Sequence, residues 1–197
     1  MNRRERLVIG VTGASGAMLA VRLLEVLAQQ QAVETHLVIS EAARLTIRAE
    51  TDRSYEDIEA LATVVYRPQD VGAAIASGSF ATKGMVVIPC SIKTLSAIAH
   101  CYAADLVARA ADVTLKEGRP LLLVVRETPL HVGHLRIMTQ AAELGAVIFP
   151  AMPAFYARPA SVGDIVNNIV GRVLARLGVE NELYASWRGM PDAHTGD

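Results

Sequence analysis

The stretch Leu7-Val8-Ile9-Gly10-Val11-Thr12-Gly13-Ala14-Ser15-Gly16 constrains the fold more than any other part of the chain. Leu7, Val8, Ile9 and Val11 are apolar without alternation, the pattern of a strand covered on both faces. From Ala17 the period becomes helical, with Ala17, Ala20, Val21, Leu24 and Ala28 on one face and Arg22, Glu25 and Gln29 on another. A strand that breaks on glycines and runs straight into a helix aims backbone N–H groups and a positive dipole end above the strand. A phosphate is the natural occupant. The spacing Gly10-x-x-Gly13-x-x-Gly16 is neither the dinucleotide fingerprint nor a Walker loop. Two readings stay open: a phosphate cradle in which Ser15 caps or donates, and a tight turn whose glycines serve packing alone.

The same alternation continues along the chain. Val33 to Ser40 reads as a second strand, 41–50 as a helix closing on Glu50, and Ser54-x-x-Asp57 as a capping box opening a helix through Ala62. Val64-Val65-Tyr66 is a short strand, Asp70 to Ala76 a small helix, and Ser77-Gly78-Ser79-Phe80 a flexible stretch. Met85 to Pro89 is a strand, 91–101 and 104–117 are helices, and Leu121 to Arg126 is a strand. A helix from His131 to Leu144 leads to a strand at Ala146 to Phe149, a proline-held crossing, and a last helix from Ser161-x-x-Asp164 to Leu177. Alternating strands and helices predict an α/β fold: one doubly wound, Rossmann- or flavodoxin-like parallel sheet in a single domain. Right-handed crossovers then bring every strand's C-terminal end to one edge. Ser15, Ser40, Ser91 to Thr94, Arg126 and Glu127 all follow predicted strands, so they converge there.

Composition narrows the function classes. The 197 residues are 52% hydrophobic and only 20% charged, yet no run approaches the ~18 apolar residues of a membrane helix. The surplus apolar surface points to subunit contacts and hence an oligomer. A net charge of −1 from 19 basic and 20 acidic residues, well mixed, leaves no nucleic-acid footprint. The basic start Met1 to Arg6 precedes a glycine-broken strand without a cleavage site, which argues against a signal peptide. Cys90 and Cys101 are too few for a disulfide framework and fit a reducing cytoplasm.

Several clusters carry possible chemistry, each with a bland alternative. Ser91-Ile92-Lys93-Thr94 offers two hydroxyls and an ammonium at a helix start, suited to a phosphate or a polar ring edge, or else an N-cap beside a surface lysine. Arg126 and Glu127 at a buried strand's end bind a ligand and shuttle protons, or form a structural pair. Asp105, Arg109, Asp112 and Lys116 share a helix face, by default a solvated salt-bridge stripe, otherwise a source of cations for an anion. His131 and His134 lack a third ligand, so no metal site is expected. Cys90, beside a helix start, is either a thiol of lowered pKa or a packing residue.

Taken together, Gly13-Ala14-Ser15-Gly16, Ser77-Gly78-Ser79-Phe80, Pro89-Cys90-Ser91-Ile92-Lys93-Thr94, Leu115 to Leu121, Arg126-Glu127-Thr128-Pro129-Leu130 and Pro153-Ala154-Phe155-Tyr156 resemble the UbiX family of flavin prenyltransferases. The match runs in order from Leu7 to Trp187. The resemblance implies a flavodoxin-like homo-oligomer, commonly a dodecamer, with one flavoprotein domain over 1–190, while the polar composition after Met190 predicts a disordered tail at 191–197. It implies an enzyme that joins the dimethylallyl group of dimethylallyl monophosphate to N5 and C6 of reduced FMN. The product serves UbiD-type decarboxylases, and no metal is needed. By position, Gly13, Ala14, Ser15, Ser40, Ser91, Ile92, Lys93, Thr94 and Arg126 would hold FMN. Lys116, Tyr156 and Arg172, with Arg109, would grip the prenyl phosphate, partly across subunit boundaries. Glu127 and Glu50 would handle protons, and the Phe80 ring would face a developing allylic cation. The competing readings are a flavin-dependent cysteine decarboxylase and a non-catalytic FMN carrier or accessory subunit.

Overall fold

Every apolar run assigned to a strand enters one sheet. The computed structural model describes residues 4–187 and 189. In chain order the elements are β1 (Glu5–Val11), α1 (Ala17–Gln30), β2 (Val33–Ile39), α2 (Glu41–Glu50), α3 (Tyr55–Glu59), β3 (Val64–Tyr66), β4 (Gly84–Cys90), α4 (Ile92–Ala99), α5 (Leu106–Lys116), β5 (Leu121–Val125), α6 (Val132–Glu143), β6 (Val147–Ile148) and α7 (Val162–Arg176). All pairings are parallel and the strand order is β3-β2-β1-β4-β5-β6. The order reverses between β1 and β4, which is where a doubly wound sheet opens a crevice at its C-terminal edge.

Alternation within β1 divides the core. Leu7, Ile9 and Val11 face one layer with α1, α2, α3 and α7, while Val8 faces the other with α4, α5 and α6. Both layers are closed, which is why the strands read as continuous apolar runs. Capping is local: Ser54–Asp57 and Ser161–Asp164 form the two predicted capping boxes, and Ser40, Ser91 and Asp105 cap α2, α4 and α5.

Two segments differ from expectation. Asp70 to Ala76 is a chain of turns ending in a short 3-10 stretch at Ala74–Ala76, with Gly72 interrupting the helical pattern. The stretch Ser77 to Phe80 is a hydrogen-bonded turn rather than a flexible one. Phe80 N–H donates to the Ser77 carbonyl, and the Arg119 guanidinium donates to the carbonyls of Gly78 (2.7 Å) and Phe80 (3.0 Å). The tail expected at 191–197 lies outside the described residues. Among the described residues no helix is long and apolar enough to cross a membrane.

Candidate active site

The ends of β1, β2 and β4 build the floor of the C-terminal edge. Thr12, buried just past β1, donates its hydroxyl to the Pro89 carbonyl (2.8 Å) and accepts from the Ser91 N–H (2.8 Å), which locks the ends of β1 and β4 together. The Ser91 hydroxyl accepts from the Thr94 N–H and donates to the Thr94 hydroxyl (3.2 Å). Ser40 N–H donates to the Val11 carbonyl, placing the Ser40 hydroxyl over β2 as the cap of α2. Above this floor lies a crevice of ≈ 430 Å³ lined by Gly13, Ser40, Ser91, Lys93, Thr94 and Asp105, among others. That volume suits a small-molecule site of ~300–1,000 Å³. Gly13 is obligatory for its shape: a Cβ there would overlap the Ala42 side chain and sit 3.1 Å from the Ala42 carbonyl carbon.

The first helix start is organised differently from expectation. Gly16 is the N-cap of α1, in the left-handed region at φ 111°, and no side chain of the loop caps the helix. The position above it belongs to Glu50, whose Oε2 accepts from the N–H groups of Gly16 (2.7 Å) and Ala17 (2.9 Å). A carboxylate of the chain itself therefore stands where the glycine pattern predicts a phosphate. No side chain caps α1, so Ser15 is not its cap, and the Ser15 hydroxyl instead helps keep the same carboxylate ionised. Burial pushes the Glu50 pKa up, but the bonds from Gly16, Ser15 and Ala17 and the Arg126 charge outweigh it and hold the pKa below the ordinary value. Phosphate donors consequently remain at α4, where Ser91, Ile92, Lys93 and Thr94 form the first turn.

Arg126 and Glu127 do not form the structural pair that was the alternative to ligand binding. Both are exposed beyond β5, and the Glu127 carboxylate accepts from the neighbouring Thr128 N–H (2.9 Å). Ala14 is buried in the loop below. Cys90 is fully buried and its thiol is pushed up to about 12 by burial, so the packing reading holds. The rings of His131 and His134 lie 3.6 Å apart at a tilt of 34°, and no group of three metal-ligating side chains occurs among the described residues.

The remaining expected site residues lie apart from the crevice. Arg172, on α7, reaches over the Phe149 ring (5.7 Å) in a hollow beside the edge strand β6. Tyr156, half-exposed on the crossing after β6, packs edge-on against Trp187. The expected charge stripe on α5 is divided: Asp105 caps the helix, Arg109 pairs with Asp112 (2.9 Å) and Lys116 pairs with Glu117. Lys116 ends α5 beside Gly78, at the sheet's N-terminal edge. Phe80 is at that edge too, with one ring face covered by the Arg6 guanidinium (4.0 Å) and an edge contact to His36. A seven-residue strand separates the two edges by roughly 20 Å. One chain thus gathers Gly13, Ser15, Ser40, Glu50, Ser91 to Thr94 and Arg126, and leaves Phe80 and Lys116 on the opposite side. Sequence reasoning missed Thr12, whose only signal is a hydroxyl between the end of β1 and Gly13. It also missed Asp105 as a crevice residue, because its stripe position resembles surface.

Fold and crevice together define a flavin-binding α/β protein, and residues 1–174 match the family model described as Flavoprotein. The flavin prenyltransferase UbiX of Escherichia coli K12 is 57% identical over 187 residues, covering 94% of this chain and 99% of that one. UbiX of Thauera aromatica is 54% identical over 93% of this chain and 94% of its own length. A crystal structure of AnUbiX in complex with FMN and dimethylallyl pyrophosphate superposes with a TM-score of 0.93 at 46% identity, covering 96% of this chain and all of that one. A dodecameric FMN-dependent UbiX-like decarboxylase from Escherichia coli O157:H7 gives 0.91 at 50% identity over 93% of this chain and all of its own. The chain belongs to the UbiX family of flavin prenyltransferases. An FMN-dependent cysteine decarboxylase, SpaF, shares the fold at 21% identity and a TM-score of 0.58, with 73% of this chain and 82% of that one covered.

Proposed function

We propose that the protein is a flavin prenyltransferase that joins the dimethylallyl group of dimethylallyl monophosphate to N5 and C6 of reduced FMN, yielding the cofactor of a UbiD-type decarboxylase. The observation that carries this reading is the donor set at the α4 start, built beside an ionised carboxylate, Glu50, within reach of the Arg126 charge. Ser40, Ser91, Thr94 and Lys93 fit the phosphate of FMN by chemistry, and Gly13 keeps the crevice open for it. Ala14, Ser15, Ile92 and Arg126 complete the flavin-holding set. When bound, reduced FMN supplies nucleophilic ring atoms. Glu50 and Glu127 take up the protons that new bonds displace.

The leaving phosphate needs cations, because the reading invokes no metal. Lys116, Arg172 and Arg109 supply them, with the Tyr156 phenol as a further donor. Within one chain they stand on separate faces, so we infer a site completed by other copies, in a homo-oligomer of dodecameric size. Exposed apolar side chains support this: Val132 and Leu135 on α6, together with Leu45, Met152 and Phe155, are at least half exposed. In α6 only Ala141 is fully buried, so that helix has a face left for a neighbour. Phe80 supplies an aromatic ring for the prenyl group. Free thiols at Cys90 and Cys101 suit the cytoplasm, where reduced flavin persists.

Anaerobic incubation with reduced FMN and dimethylallyl phosphate, followed by mass spectrometry of the extracted flavin, tests the reading. A flavin heavier by one prenyl unit is expected. Flavin released unchanged would leave only a carrier, and turnover of a C-terminal cysteine substrate instead would make it a decarboxylase.

A further inference from the structure

The turn from Ser77 to Phe80 and the end of α5 interlock. Lys116 Nζ donates to Glu117 Oε1 (2.5 Å), and both side chains lie directly on the Cα of Gly78. A Cβ at Gly78 would overlap the Glu117 carboxylate and sit 2.7 Å from Lys116 Nζ. From the other side, Arg119 donates to the Gly78 and Phe80 carbonyls. Gly78 is therefore held between an ion pair and a guanidinium, and Phe80 is fastened to the same assembly.

We propose that Glu117 is the positioning residue for Lys116, holding its ammonium against the Gly78 turn so that Lys116 and Phe80 are presented as one rigid unit to the prenyl phosphate. This rests on the assignment of Lys116 to the phosphate made above. A lysine has four rotatable bonds, so an untethered ammonium spends most of its time away from a leaving phosphate. Positioning is worth rate in proportion to the time spent in place. Tethering does not erase the charge. Lys116 and Arg119 are two cations against one carboxylate, so the cluster stays net positive toward an anion. The Glu117 carboxyl is kept well ionised, first by the Lys116 hydrogen bond and charge and also by Arg119. Gly78 is part of the device because any side chain there would pry the pair off the turn.

The test is a double-mutant cycle on the FMN-loaded oligomer, with steady-state rates on dimethylallyl phosphate measured anaerobically. Glu117→Gln is expected to lower kcat/KM about tenfold, mostly in kcat, with FMN affinity and thermal midpoint unchanged. In the Lys116→Ala background the same change is expected to do nothing more, which a merely structural role would not produce. Glu117→Asp should recover part of the loss. Gly78→Ala, which alters no charge, should reproduce the Glu117→Gln defect. A Glu117→Gln enzyme as fast as wild type, or faster, overturns the proposal, as does a further equal loss when Lys116 is already absent. Full activity in Lys116→Ala would instead remove the assignment of Lys116 itself.

Discussion

Replacing Glu50 by Gln isolates one charge in the middle of the site. The wild-type carboxylate accepts two backbone N–H bonds, at 2.7 and 2.9 Å, at the positive end of a 14-residue helix. Bonds to a charged acceptor contribute about 1.5–3 kcal/mol and neutral ones about 0.5–1.5 kcal/mol. Glutamine keeps one carbonyl oxygen and much of the geometry. The difference, discounted for partial exposure, is about 1.5 kcal/mol, of which the helix dipole supplies about 0.3–1 kcal/mol. The pH dependence has a defined sign. Folding lowers the Glu50 pKa from its ordinary 4.5, so the stabilisation is complete above that value and is lost as pH falls through the folded one. Urea unfolding of the wild type and Glu50→Gln, followed by circular dichroism, should show the full gap at about pH 7 and a smaller one at about pH 3. An equal gap at both pH values would mean that the carboxylate's charge is not what holds the start of α1.

Other perturbations separate the three parts of the site. Lys116→Ala and Arg172→Ala should bind FMN normally in a fluorescence titration but lose about 10²–10³ in kcat, the usual worth of one preorganised electrostatic donor. Gly13→Ala should abolish FMN binding and cost about 1–3 kcal/mol of stability, because the new Cβ must displace the first turn of α2 at Ala42. A tightly binding Gly13→Ala protein would show that the crevice floor is softer than this packing allows. Cys90 should resist alkylation at pH 8 until the protein is denatured, since burial holds its thiol near 12; labelling of the native protein, read by peptide mass, would contradict that.

Much of this architecture is legible without coordinates because its causes are local. Strand β1 announces itself by an unbroken apolar run, α1 by a change of period, and α3 and α7 by the paired cap residues Ser54–Asp57 and Ser161–Asp164. Each signal spans a few residues and acts through backbone hydrogen bonds among neighbours. The handedness of crossovers then carries Ser40, Ser91 and Arg126 to one edge with no knowledge of side-chain contacts. The motifs shared with the UbiX family name the chemistry that this edge serves.

Other features were set only when distant segments met. Nothing near Gly16 says that Glu50, 34 residues away, will supply its anion. That contact arises because α2 packs with its start against Gly13 and its last residue against Gly16, so a phosphate loop by pattern became a carboxylate-capped helix. The charges of α5 looked alike along one face, yet Asp105, Arg109 and Lys116 found three different partners. The helix runs opposite to the strands, which delivers Lys116 to the edge away from the crevice. Periodicity records which residues share a face. Which end of the sheet that face reaches, and what stands there to meet it, depends on packing between elements far apart in the chain.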